Sequence, residues 1–296
     1  MSEWGGRAAP QGSVADPPES RRTRAPFGRR LAQVETAGDL GAYRVIRASD
    51  PGGPAAPRPG QFYMLAAGAG WGAGQDERPY LPRAFSFARV ELGPTGPVLS
   101  FVLEDVGPGT ERLGRLEPGD ALWLAGPFGL GFSVPAGEES ATRALLVGGG
   151  IGLAPILALA DELGPRANTL LGFRSGAHAE GSTLFRAEAT ALATDDGSRG
   201  RRALVTELLG EELGRETGAE VFACGPAPML AAVRDLCAEH EVRAELALES
   251  GMACGFGACF GCVVPTRSGY VRLCLDGPVL DASTLEDTFG GPPAAP

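Results

Sequence analysis

Cysteine, whose thiolate binds iron and zinc, is concentrated near the carboxyl end of the chain. Four of the six cysteines fall within Glu249–Asp281 with the spacing C-x4-C-x2-C-x11-C. That spacing is the plant-type pattern for a [2Fe–2S] cluster held by four thiolates. Glycines such as Gly255 and Gly257 allow tight turns around a compact group and leave amide N–H groups able to point at sulfur. The predicted cluster ligands are Cys254, Cys259, Cys262 and Cys274.

Two other uses of these cysteines compete with the cluster. A disulfide framework suits a small secreted protein, whereas this chain has 296 residues and we expect no signal peptide. A structural zinc site usually has two C-x2-C pairs, and only Cys259 and Cys262 have that spacing. The pattern therefore favours the cluster and leaves zinc as the alternative.

A second candidate site is the glycine-rich stretch Arg143–Ala160. The apolar run Ala144–Val147 predicts a strand, and Pro155 begins a predicted helix that continues through Ile156–Leu163. A strand, a glycine turn and a helix N-terminus together bind the phosphates of a dinucleotide. The pattern is GGGxGxxP and not GxGxxG, so it does not predict the common Rossmann subtype. The candidate residues are Gly148, Gly149, Gly150 and Gly152.

Alternating strands and helices after this loop predict a parallel sheet that binds its ligand at the carboxyl ends of the strands. Strands are expected at Thr169–Phe173, Arg202–Thr206 and Glu220–Cys224, and a helix near Leu184–Leu192. The turn Cys224, Gly225, Pro226 would meet the glycine loop at one edge of the sheet. Cys224 either lies beside a nicotinamide ring or is a small buried residue, and both readings stay open. Cys237 is expected in the core, and His178 at the surface.

The first half of the chain predicts a small antiparallel barrel, because short strands follow one another with Gly and Pro turns between them. Expected strands lie within Leu31–Arg47, Gln61–Ala67, Leu99–Leu103 and Ala121–Leu124. Arg83 and Ser86 could offer a fork of donors and a hydroxyl to a pyrophosphate. Gly109 and Thr110 follow a second glycine in a turn that leaves backbone amides open. Each of these signals is weak when taken singly.

Composition bounds the remaining possibilities. The formal net charge is −10 and the hydrophobic content is 44%, values that indicate a soluble protein with no nucleic-acid partner. The longest apolar run, Ala144–Ala160, is interrupted by glycines and a proline, so we expect no membrane span. No cysteine precedes Cys224, which suits the reducing cytoplasm. Residues 1–24 are expected to be a disordered extension, and residues 291–296 a tail.

The order of these motifs resembles one family. RAFS, GPGT, GPFGLG, VGGGIGLAP, FACGPAPM and the four-cysteine pattern followed by DGPV occur in sequence. In this order they resemble the electron-transfer subunits of type B dihydroorotate dehydrogenase, in the ferredoxin–NADP reductase superfamily. The likeness covers about Phe27 to Leu285. The chain departs from the family at Ala84, where proline is usual, and at Glu104, where a basic residue is common.

The resemblance implies an α+β multidomain fold: an antiparallel β-barrel domain for FAD (25–135), an α/β parallel-sheet domain for NAD (140–243) and a small C-terminal [2Fe–2S] segment (244–290). The implied FAD contacts are Arg83, Ala84, Phe85, Ser86, Val102, Leu103, Glu104, Gly109 and Thr110. The NAD contacts would come from the glycine loop and from the turn at Cys224–Pro226.

The resemblance also implies an activity and a partner. Electrons would pass from a separate FMN-containing catalytic subunit, which oxidises dihydroorotate to orotate in pyrimidine biosynthesis, through the cluster and FAD to NAD. The complex would contain two copies of each chain, and this chain alone would not form orotate. A flavin suits the middle position, because it exchanges electrons both singly and in pairs.

Two other functions remain as alternatives. The same modules could serve a hydrogenase or a ferredoxin as a reductase subunit. A redox-sensing or metal-sensing binding protein could also keep the fold without turnover, since one fold hosts several functions. The sensor would hold no FAD and could bind zinc in place of iron.

Overall fold

The computed structural model describes residues 21–72, 79–133, 143–215, 218–287 and 289. Most of the expected extension, part of the Gly-rich insertion at Ala66–Pro79, and the expected tail lie outside these residues. The strands are β1 (Arg30–Leu40), β2 (Tyr43–Ser49), β3 (Phe62–Ala67), β4 (Arg83–Ser86), β5 (Arg89–Gly93), β6 (Gly96–Leu103), β7 (Ala121–Phe128), β8 (Arg143–Gly149), β9 (Ala167–Phe173), β10 (Thr190–Thr194), β11 (Arg201–Arg202), β12 (Ala219–Cys224), β13 (Ala244–Ala247), β14 (Val263–Thr266), β15 (Gly269–Arg272) and β16 (Val279–Asp281). The helices are α1 (Pro108–Gly114), α2 (Leu153–Leu163), α3 (Gly176–Ala179), α4 (Val205–Arg215), α5 (Ala227–Glu239) and α6 (Leu273–Asp276).

The first sheet is antiparallel and has the strand order β4-β3-β7-β1-β2-β6-β5. It curls strongly. Tyr63 on β3 and Phe101 on β6 have ring centroids 5.8 Å apart, although a flat sheet would separate those strands by about 19 Å at the usual strand spacing. The curl encloses a core that includes Tyr63, Leu65, Leu99 and Phe101. This part of the chain confirms the predicted antiparallel sheet.

The second sheet has the order β11-β10-β9-β8-β12-β13-β16 and is parallel except for β16. Its central strand β8 is buried on both faces between helices, as the apolar run Ala144–Val147 predicts. Helix α2 follows β8 directly and buries Leu153, Ile156 and Leu159 against the sheet. Strands β13 and β16 extend this sheet beyond the boundary predicted at residue 243.

Two sequence-based elements were wrong. The stretch Leu184–Leu192, expected as a helix, forms short 3-10 turns and then β10, because Thr190–Thr194 completes the sheet by pairing with β9. The strand expected at Arg202–Thr206 ends at Arg202 and gives way to helix α4. Apolar residues at Val205, Leu208 and Leu209 are spaced for a helix, and the Glu207 carboxylate accepts from the Leu204 N–H at 2.8 Å, which fixes the first turn.

The end of the expected disordered extension is ordered. Arg21 donates from Nε to the Gly131 carbonyl at 2.9 Å, and the Gln61 side chain bonds both the N–H and the carbonyl of Thr23. These contacts fasten residues 21–24 across the junction of the two sheets, so the prediction of disorder was wrong there. Among the described residues, no helix is both long and apolar enough to cross a membrane.

Candidate functional site

The four predicted ligand cysteines lie together in two pairs. The sulfur atoms of Cys262 and Cys274 are 3.2 Å apart, and the thiols of Cys254 and Cys259 are hydrogen-bonded to each other. All four are free thiols. A [2Fe–2S] cluster has two irons with four cysteine ligands, so two thiol pairs fit it.

Backbone amides prepare one of these thiols to bind a metal. Burial raises the pKa of Cys254, but hydrogen bonds from the backbone of Cys259, Phe256 and Ala258 outweigh it and bring the pKa to about 7. In the other pair, burial and the hydrogen bond with Cys262 raise the pKa of Cys274 to about 12. A bound metal deprotonates a thiol outright, so both pairs can act as thiolate ligands.

Arg272 connects the cysteine loop to the hairpin that follows it. Its guanidinium donates to the Gly257 carbonyl at 3.1 Å and lies 4.9 Å from the centre of the Phe260 ring. Gly257 has a φ of +87°, and a Cβ on it would overlap the Leu275 side chain, so a side chain there would be both strained and obstructed. The loop therefore holds its shape through the glycine and through the arginine.

A cavity of about 280 Å³ lies between the first sheet, helix α2 and the segment before the cysteines. Seven of the residues expected to contact FAD line it. They are Arg83, Ala84, Phe85, Ser86, Val102, Glu104 and Thr110. Leu103 does not line the cavity, because successive side chains of β6 point to opposite faces and Leu103 points into the core of the first sheet.

The loop before α1 positions the charged end of this cavity. The Arg83 guanidinium lies against Gly109, where a Cβ would overlap it, and 5.9 Å from the Trp71 ring centre. The Thr110 hydroxyl accepts from the N–H groups of Val106 and Gly107 at 2.9 and 3.0 Å. Gly109 and Thr110, expected in a simple turn, thus lie in the first turn of a helix and hold the loop closed.

A second cavity, of about 550 Å³, lies at the carboxyl ends of the strands of the parallel sheet. Four of the residues expected to contact NAD line it: Gly149, Gly150, Gly225 and Pro226. Gly150 has a φ of +54° and no atom near its missing Cβ, so the chain exposes bare backbone to the cavity there. The residue takes a conformation that favours glycine and leaves room for a ligand.

The other predicted residues of this loop lie beneath the cavity. A Cβ on Gly152 would collide with the Cys224 carbonyl, so Gly152 permits α2 to approach β12 closely. Gly148 packs against Leu171 in the same way. Cys224 is 3% exposed, and burial, with the charge of Glu249, holds its pKa well above the usual value. Cys237 is buried in the core, as expected.

The two cavities meet at Glu104, Ile151 and Glu249, which line both of them. Arg174 donates to the Glu104 carboxylate and also to His178 Nε2, the latter at 2.8 Å. His178 Nε2 lies 3.3 Å from Glu104. His178 is therefore half-buried within this group and not at the surface as expected. The acidic Glu104, unusual for the resembled family, is compensated by Arg174.

Two residues of the site were missed by sequence reasoning. Asp195 directly follows β10 and lines the second cavity. Its signal was an acidic residue at the end of a strand, which was hidden because no strand was predicted there and the expected helix near Leu184–Leu192 covered the first three residues of β10. Glu249 directly follows Leu248, after β13, and was treated as the first residue of the cysteine segment. Nothing in the local pattern indicates that it lines the same cavities as Glu104.

Comparisons with known proteins agree with this geometry. Residues 249–286 match the family described as the iron–sulfur cluster binding domain of dihydroorotate dehydrogenase B. The chain is 34% identical over 234 residues to "Dihydroorotate dehydrogenase B (NAD(+)), electron transfer subunit" of Caldanaerobacter subterraneus subsp. tengcongensis, covering 77% of this chain and 87% of that protein. The protein of that name from Bacillus caldolyticus is 37% identical over 235 residues, covering 77% and 86%.

Solved structures share the fold. An NADH-dependent reduced ferredoxin-NADP oxidoreductase structure superposes with a TM-score of 0.70 at 24% identity, covering 88% of this chain and 91% of that one. A ferredoxin NADP+ reductase from Neisseria gonorrhoeae with bound FAD and NADP gives 0.53 at 16% identity, covering 72% and 91%. At these identities the likeness concerns the fold alone.

Proposed function

Because the chain belongs to the family of electron-transfer subunits of dihydroorotate dehydrogenase B, we propose that the cysteine pairs hold its [2Fe–2S] cluster, the smaller cavity its FAD and the larger cavity its NAD. The protein is an oxidoreductase subunit that transfers electrons to NAD, and its cofactors are FAD and a [2Fe–2S] cluster. Bound FAD supplies the change from single electrons to a hydride. The residues of the chain bind, orient and separate these groups.

The observation that carries this proposal is the serial arrangement of the three sites. Met252 lines the smaller cavity and is two residues from Cys254, so their Cα atoms lie within about 7 Å of each other. The smaller cavity in turn shares Glu104, Ile151 and Glu249 with the larger one. Electrons entering at the cysteines would meet FAD next and NAD last.

In the FAD site, Arg83 supplies the positive charge. It is the single basic side chain among the described residues that line the smaller cavity, and Ser86 lies near it on the same strand. A guanidinium can bind phosphate oxygens through two parallel hydrogen bonds. Arg83 would therefore hold the pyrophosphate of FAD.

In the NAD site, the glycine loop and helix α2 would hold the phosphates, since Gly150 exposes backbone to the cavity in the 3-10 turn that leads into that helix. Asp195 would accept hydrogen bonds from the ribose hydroxyls. Its carboxylate would repel a 2′-phosphate, which favours NAD over NADP.

The partner proposed for this chain is an FMN-containing catalytic subunit, two copies of each forming the complex in the cytoplasm. The side chains of Phe256 and Phe260 are 59% and 62% exposed beside the cysteines. Aromatic side chains exposed in this way are common at the centre of protein interfaces. They would border the surface through which electrons enter.

Cofactor analysis of the purified chain tests the proposal. We expect FAD, iron and acid-labile sulfide after anaerobic purification, with an absorption spectrum of flavin and cluster together. The sensor alternative predicts zinc and no FAD. A protein with zinc at the cysteines, or with no flavin after reconstitution, would contradict the proposed sites.

A further inference from the structure

Glu249 occupies an unusual place among the acidic residues of this chain. It lies two residues after the end of the last parallel strand, β13, before the cysteine segment, and lines both cavities where they meet. Within the described residues its carboxylate makes no hydrogen bond and no ion pair. A carboxylate without a partner, located where two ligand sites join, can act on the charge of whatever enters that junction.

Each of the other charged groups around the junction either forms an ion pair or lies away from the place where the two cavities meet. Glu104, after β6, is bound by Arg174 and lies beside His178, both after β9. Arg83 on β4 lies at the end of the smaller cavity that Gly109 and Trp71 border. Asp195, after β10, belongs to the larger cavity alone, and Cys224 is buried below it. Glu249 therefore contributes negative charge that nothing at the junction neutralises.

The reaction brings one particular charge to this place. Hydride transfer requires the reacting atoms of FAD and NAD to lie about 3–3.5 Å apart, so the nicotinamide ring must reach the junction of the two cavities. That ring carries a positive charge in NAD+ and none in NADH. We propose that the Glu249 carboxylate faces the nicotinamide ring and makes this site bind NAD+ more tightly than NADH.

The inference rests on the proposed NAD site and adds a property to it. A carboxylate about 5 Å from the ring, in a medium between water and protein interior, favours the cationic ring by about tenfold or more. Such a preference would let the substrate NAD+ displace the product NADH. The Glu249 side chain is exposed to solvent, yet partial desolvation beside the cavities raises its pKa, so the preference should be complete above that pKa and decline as the pH falls through it.

Equilibrium binding to the intact holoprotein tests this inference without turnover. The ligands are NAD+ and 1,4,5,6-tetrahydro-NAD, a neutral analogue that cannot donate hydride, each titrated against the flavin absorbance. The preference for NAD+ is the dissociation constant of the neutral analogue divided by that of NAD+. In Glu249→Gln we expect this ratio to fall by about tenfold. Glu249→Asp should keep the NAD+ preference, because it keeps the charge. Glu239→Gln, which removes one charge outside both cavities, is the matched control.

The outcomes separate the two proposals. An unchanged ratio in Glu249→Gln, with both ligands bound and FAD content normal, overturns the inference and leaves the NAD site standing. Failure of either ligand to bind the wild-type protein overturns the NAD site and the inference together. A wild-type ratio that falls with decreasing pH, beside a flat ratio in Glu249→Gln, supports the inference.

Discussion

The contact between Arg83 and FAD can be tested with one substitution. In Arg83→Ala the smaller cavity loses the one basic side chain found among its described lining residues. A hydrogen bond to a charged group contributes about 1.5–3 kcal/mol, and 1.4 kcal/mol corresponds to a factor of ten. We therefore expect the dissociation constant of FAD to rise by about 10- to 150-fold.

The assay is titration of the deflavinated protein with FAD, followed by the quenching of flavin fluorescence. Arg89→Ala is the matched control, since Arg89 lies on β5, at the other edge of the first sheet from β4, and pairs with Asp161 outside the cavity. Arg83→Lys separates charge from geometry, because lysine keeps the charge and loses the two-pronged donor. We expect its affinity to lie between the wild type and Arg83→Ala. An FAD affinity in Arg83→Ala equal to that of the wild type would refute the reasoning.

Three further substitutions test the other sites. Cys259→Ser should abolish or destabilise the cluster, seen as lost iron and lost visible absorbance, while Cys237→Ser, in the core, should keep both; an intact cluster in Cys259→Ser would contradict the ligand assignment. Gly150→Val should raise the Michaelis constant for NADH at least several-fold, because the position has a positive φ and faces the cavity; an unchanged constant would indicate a different phosphate loop. Asp195→Asn should reduce the preference for NAD over NADP, measured as the ratio of the two kcat/KM values, by about tenfold. Asp196→Asn, which removes a carboxylate that accepts from the Ser198 N–H, should leave this ratio unchanged. Equal ratios in the wild type and both variants would refute the role of Asp195.

Local patterns predicted the parts of the site that depend on local geometry. The cysteine spacing was enough to predict the cluster, because three of the ligands lie on one loop and the fourth, Cys274, lies in helix α6 just after the short hairpin that follows this loop. The glycine loop could also be predicted from the sequence, since its strand, its turn and its helix are consecutive in the chain. At Gly109, the sequence indicated an open turn, and the structure adds the arginine that lies against it.

Tertiary contacts decided what the sequence could not show. Glu104 and Glu249 follow strands of different sheets and line the same cavities only because the sheets pack together at helix α2. Strand β10 was mistaken for a helix because its stability comes from pairing with β9, whereas its own apolar residues suit either element. The error also hid Asp195, because an acidic residue is expected to contact a ligand when it follows a strand of a parallel sheet, and not when it follows a helix.

The central claim is that this chain carries electrons from a catalytic partner to NAD. Its most direct test is an anaerobic assay in which the chain, loaded with FAD and cluster, is mixed with the FMN-containing subunit, dihydroorotate and NAD+. The account predicts one NADH for each orotate formed, only when both chains are present, and no NADH when the chain carries Cys259→Ser. Active flavin and cluster in this chain, with no NADH formed by the pair, would contradict it.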